Sequence, residues 1–168
     1  MPTRSLLSMC VLSLSAAFIW GPSAQAADVS PVGAWRVVSY AAKDVRTGEL
    51  THPFGEQVTG MAIYSSSGHM SILVTGRDRV ASTGTGAQRF EERSRLFDSM
   101  YAYTGRYSVK GDQVTIHVES AWQPDWVGTD RVRTLTLDHD VLTITTPPMQ
   151  SPVDGQTYIS ITSFRRAD

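Results

Sequence analysis

The sequence predicts an all-β fold, an eight-stranded antiparallel up-and-down barrel with one short inserted helix. Three observations carry that expectation. Eight short segments are rich in β-branched and aromatic residues. Most of them are joined by links of only a few residues. None of the eight prolines falls inside one, as central ladder positions require. An open meander of this kind would leave two unpaired edges, and closing it into a barrel removes both.

The candidate strands run over 35–40, 60–64, 69–75, 101–109, 113–121, 131–137, 141–146 and 157–164. Ser67-Gly68, Lys110-Gly111-Asp112 and Asp138-His139-Asp140 are short and polar enough to serve as hairpin connections. One interruption breaks the rhythm. Residues 76–86 are polar and Gly-rich, and 87–100 then reads as helix. Thr85 and Gln88 have capping-box spacing, Glu91 and Arg95 sit four apart, and Phe90, Leu96, Phe97 and Met100 form an apolar stripe. That stripe is expected to bury itself at one end of the barrel, as a plug or as a lid over a cavity.

Residues 1–26 contain the three parts of a secretory signal peptide: a basic start with Arg4, an apolar run over 6–20, and the small-x-small end Ala24-Gln25-Ala26. The run is broken by serines and falls short of the ~20 apolar residues that a membrane span needs. A cut after Ala26 would leave the barrel domain over 27–168, secreted or periplasmic, with no membrane span. It would also remove Cys10, the only cysteine, which excludes disulfides and thiol chemistry from the remaining chain.

With Lys+Arg 15 against Asp+Glu 16 and no basic block, the chain lacks the phosphate-neutralising surface of a nucleic-acid binder. His52, His69, His117 and His139 are scattered without metal-ligand spacing. There is no Gly-x-Ser-x-Gly elbow, no P-loop and no dinucleotide fingerprint. No cofactor is expected.

Val32-Gly33-Ala34-Trp35 has the Gly-x-Trp signature of lipocalins. Gly60-Met-Ala-Ile-Tyr64, Ser67-Gly68-His69-Met70-Ser71 and Tyr101-Ala-Tyr103-Thr-Gly105-Arg-Tyr107 follow in order. His117-Val-Glu119, Pro124-Asp-Trp126-Val-Gly128 and Arg133 complete a set that resembles the bacterial and fungal lipocalin-like domain family over about 31–166. The chain departs from the family at its end, where Phe164-Arg165-Arg166 stands for Trp-Glu-Arg. The resemblance implies a small β-barrel whose first-strand Trp closes one end beneath a last-strand Arg, the parts that fall to Trp35 and Arg166 through a cation–π contact.

Several residues invite a functional reading. Thr115, His117 and Glu119 share one face of their strand, opposite the apolar Val114, Ile116 and Val118. Facing solvent, they are surface; facing the lumen, His117 and Glu119 would form an acid/base pair. Arg131, Arg133, Leu135 and Leu137 share a face of the next strand, and Arg133 could neutralise Glu119 or clamp a carboxylate-bearing ligand. Tyr101, Tyr103 and Tyr107 lie on one face, as core or as hydroxyls that a ligand or His117 would satisfy. Trp122 and Trp126 form an indole-rich link, a gate or a filled bulge, while Arg77 and Arg79 would hold an anion at the mouth or merely solvate a loop.

Three functions are compatible with these features. The first is a barrel binding a small, largely hydrophobic ligand through Tyr103, His117, Glu119, Trp126 and Arg133. The second is a small-molecule cyclase or isomerase using His117 and Glu119 in the barrel. The third is a filled barrel with a structural role, its lumen exhausted by Trp35, the tyrosines and the Phe90/Phe97 stripe.

Overall fold

Side chains that alternate along a strand become an inside and an outside once the sheet closes. In the computed structural model, which describes residues 28–151 and 155–167, the strands are β1 (Gly33–Asp44), β2 (Leu50–Thr51), β3 (Val58–Tyr64), β4 (His69–Gly76), β5 (Met100–Lys110), β6 (Gln113–Ala121), β7 (Asp130–Asp138), β8 (Val141–Thr145), β9 (Met149–Gln150) and β10 (Thr157–Arg166). Helix α1 (Gly86–Asp98) separates β4 from β5, and a single 3-10 turn, Pro124–Trp126, separates β6 from β7. The expected leader over 1–26, with its cut after Ala26, lies outside the described residues. Among the described residues no helix is long and apolar enough to cross a membrane.

Each long strand pairs antiparallel with its successor, and β1 pairs with β10 to close the sheet. Eight strands make the barrel, as expected; β2 and β9 are two-residue additions on β1 and β10. The interior side chains are those of the alternating apolar sets. Val114, Ile116 and Val118 of β6 are completely buried, as are Val74 of β4 and Leu142 of β8. Two bulges break the alternation, with Val38 the extra residue on β1 and Glu119 the extra residue on β6, where it faces Thr104 and Gly105 of β5. At the second, a side chain on Gly105 would collide with the His117 carbonyl, so glycine permits the close approach of β5 and β6.

One end is closed by Trp35. Its ring is fully buried, its Nε1 donates to the Pro31 carbonyl at 2.7 Å, and the Arg166 guanidinium lies 4.2 Å above the ring centroid. Arg166 also donates to the Val32 carbonyl at 3.4 Å and lies 3.9 Å from an Asp140 oxygen. Gly33, at φ 138°, leaves the space that this guanidinium occupies. The loss of the family's acidic neighbour at 165 is thus met by Asp140 at the β7–β8 turn.

Helix α1 sits at the opposite end, but not as a plug. None of its residues is buried, and Phe90 is 77% exposed. Only Phe97 reaches the barrel's aromatic rings, with its centroid 5.8 Å from Trp122. The expected burial of the stripe fails because Tyr40, Phe54 and Tyr101 already occupy that mouth. The capping box is also absent: Thr85 makes no side-chain cap. Gln88 instead donates to Glu92 at 3.1 Å, and the Glu92 carboxylate accepts the N–H groups of Thr83 and Gly84 at 3.0 Å each.

Trp35→Ala is expected to cost about 3–5 kcal/mol, the range for truncating a buried Trp. Arg166→Ala, which removes a partly exposed cation–π contact, should cost only about 0.5–1 kcal/mol. Equilibrium denaturation of the two variants measures both, and equal losses would contradict this division of roles.

Candidate functional site

The helix end of the barrel is built from aromatic rings in mutual contact. Tyr40 of β1 stacks on Phe54, from the β2–β3 connection, at 4.4 Å between centroids. Both rings meet Tyr101 of β5, at 5.7 and 5.9 Å. Tyr101 stacks on Tyr103 at 6.2 Å, Tyr103 meets Trp126 edge-on at 5.6 Å, and Trp126 meets Trp122 at 4.8 Å. The belt draws on four separate stretches of chain, so it exists only in the closed barrel. It is amphipathic, since each phenol brings a hydroxyl into an apolar setting.

Most of those hydroxyls are satisfied within the protein. Tyr40 Oη lies 3.4 Å from Ser160 Oγ, and Tyr101 Oη lies 3.2 Å from Thr162 Oγ1. Tyr107 donates to the Ser65 carbonyl at 2.8 Å, not to His117. Tyr64 is the exception: it is 1% exposed, and its hydroxyl has no partner. Burial pushes the pKa of Tyr40, Tyr64, Tyr101 and Tyr103 upward, so all four are neutral phenols at physiological pH. The Arg133 guanidinium opposes that rise at every one of them, and at Tyr103 it does so by charge and by contact with the phenol oxygen.

Arg133 therefore stands inside the lumen, only 6% exposed. Among the described residues no carboxylate lies within ion-pair distance of it, and its Nη1 donates to the Val132 carbonyl at 2.8 Å. Arg131, two residues away on the same face, lies 4.1 Å above the Trp126 ring centroid with its Nε buried and unpartnered. Burial, and then the neighbouring charge of Arg133, lower the Arg131 pKa.

Outside the lumen, a cleft of about 400 Å³ lies between α1, the segment before it and the barrel rim. Phe54, Gly76, Arg79, Val80, Arg95 and Leu96 line it. Phe54 is thus a shared wall, with one side on the cleft and the other on Tyr40. Arg79 does more than solvate a loop: it donates to the Leu96 carbonyl at 2.9 Å and ties down the helix C-terminus.

Tyr103, Trp126 and Arg133 are brought together, whereas His117 and Glu119 stand on the barrel exterior. The His117 side chain is 57% exposed and its Nδ1 lies 2.8 Å from Asp130 Oδ1. Glu119 is 46% exposed and pairs with Arg106 at 3.3 Å. An acid/base pair within the lumen is therefore corrected to two separate surface pairs. The reason is parity: Val114, Ile116 and Val118 take the inner face, which sends the alternate residues out. Arg133 cannot neutralise Glu119, because the barrel wall lies between them. The filled-barrel expectation that Phe90 and Phe97 enter the lumen is corrected as well. No group of His, Cys, Asp and Glu suited to a metal ion occurs among the described residues.

Tyr40, Phe54 and Tyr64 are the site residues that sequence reasoning missed. Tyr40 shares a parity with the outward Arg36 and Val38, and only the β1 bulge turns it inward. Phe54 lies in a connection where no periodicity places it.

A profile described as a lipocalin-like domain matches residues 32–166. No curated protein sequence matches the chain, and no solved structure does.

The hydrogen bonds from Gly84 first, with Ser82, Thr83 and Gln88, hold the Glu92 carboxyl below its usual pKa of 4.5. A depressed carboxyl contributes its stabilisation above the unfolded pKa and loses it as pH falls through the folded one. The protection factors of the Thr83 and Gly84 amides should therefore fall as pH drops below the ordinary glutamate range, and Glu92→Gln should lower them already at neutral pH. NMR hydrogen exchange reads both effects, and protection independent of pH and of the substitution would contradict them.

Proposed function

The chain belongs to the lipocalin-like domain family, and from that premise we propose that it binds a small, largely hydrophobic ligand in the barrel, entering at the helix end. The observation that carries this reading is the aromatic belt of Tyr40, Phe54, Tyr101, Tyr103 and Trp126 beside a cleft of about 400 Å³. Of these rings Phe54 alone lines the cleft, whose wall also carries Asp78, Arg79, Glu92 and Arg95; the other rings stand behind it and supply the apolar surface that a small-molecule site needs. An eight-stranded barrel has interior width for side chains or one small ligand. Phe54 is the movable element in this reading, because a swing of its ring joins the cleft to the lumen. Arg79 and Glu92 bind the helix to the loop before it, and in this reading loop and helix move together as a lid.

The apolar leader supports export, which makes the working protein 27–168, secreted or periplasmic. Intact mass of the exported protein should begin at Ala27, and retention of residues 1–26 would overturn that part of the proposal.

N-Phenyl-1-naphthylamine, an uncharged apolar dye, tests binding directly. Its fluorescence should rise on saturable one-to-one binding and quench the emission of Trp126. Phe54→Ala should speed association several-fold by opening the wall, whereas His117→Ala should leave the affinity unchanged. Absence of saturable binding, together with no co-purifying small molecule in native mass spectrometry, would overturn the reading.

A further inference from the structure

A guanidinium buried in an apolar lumen without a counter-ion is expensive, because its lost hydration is returned only by the groups it touches. Arg133 touches a backbone carbonyl and faces neutral phenols, none of which cancels its charge. Two further polar groups in the same interior are buried and unpartnered: the Tyr64 hydroxyl, which senses the Arg133 charge, and Nε of Arg131. A cation and two open hydrogen-bonding groups, with no acid among them, define what is missing.

We propose that the lumen is built for an organic carboxylate, its headgroup against Arg133 and its apolar body among the aromatic rings toward Phe54. This rests on the lumenal binding reading above and adds the charge of the ligand to it. The planar guanidinium presents paired N–H donors that match the two oxygens of a carboxylate. Tyr64 supplies a hydroxyl donor to the same headgroup, and Arg131, stacked on Trp126, adds positive potential at the rim. The apolar body is required by the rest of the lining. A bare inorganic anion would satisfy Arg133 but leave the belt of rings with nothing to cover it. A neutral apolar molecule would cover the rings but leave Arg133 unpaired.

Decanoate and decanol separate these cases, since they share the alkyl chain and differ in the charge of the headgroup. Isothermal titration of the purified protein should show decanoate binding at least roughly tenfold more tightly than decanol, the minimum expected of a charge-assisted contact. Arg133→Met should abolish that preference while leaving the melting temperature unchanged or higher, because it removes an uncompensated buried charge. Arg133→Lys should retain part of the preference, and Tyr64→Phe should weaken decanoate more than decanol. Equal affinity for decanoate and decanol in the wild-type protein overturns the carboxylate site while leaving the barrel a binder of apolar molecules. Inorganic phosphate displacing decanoate at equal concentration overturns the choice of a carboxylate. Binding of neither alkyl probe overturns the proposal together with the lumenal reading beneath it.

Discussion

The antiparallel pairing of Gly33–Asp44 with Thr157–Arg166 closes the sheet on itself, and every other property of the molecule is read relative to that seam. Closure removes both sheet edges and converts a two-residue alternation into a dry interior and a wet exterior. The seam carries its own anchor. Trp35 and Arg166 are direct cross-strand partners, so the cation–π contact that caps one end is made between the two strands that close the barrel. The β1 bulge lies in the same seam, and it brings Tyr40 inward opposite Thr162.

The two ends of the barrel are consequently different in kind. The Trp35 end is closed by one large buried ring, its hydrogen bond to the Pro31 carbonyl and the Arg166 guanidinium over its face. The α1 end is ringed by aromatic side chains, most of them satisfied, and overlain by a helix that buries none of its own residues. A helix without a buried face is held by contacts at its margins: Phe97 against Trp122, Arg79 on the Leu96 carbonyl, and Glu92 folding back onto the preceding loop. Elements held by so few buried contacts open at lower cost than core strands do.

Arg133 is where folding and the proposed binding pull apart. Burial of an unpaired cation lowers stability, and a Leu or Met would pack there without penalty. Its neighbours on the inner face, Leu135 and Leu137, show that β7 accommodates apolar side chains in the same row. An arginine set among neutral phenols makes physical sense when its partner arrives from outside the chain.

Much of this architecture was legible in the residues. The eight strands, the helix, the two faces of β6 and the Trp35–Arg166 pair all follow from local alternation, turn chemistry or the family resemblance. Local alternation also grouped Arg131 with Arg133, and His117 with Glu119. It could not say which group faces the lumen, because that depends on cross-strand register through the Trp122–Trp126 link and on two bulges that reverse parity within a strand. Phe54 had no period to place it, and the helix stripe had a pattern but no seat once other rings occupied the mouth. The sequence by itself determined the strands and their two faces. Only the tertiary structure decided what each face meets, since register and closure are set by pairings between residues far apart in the chain.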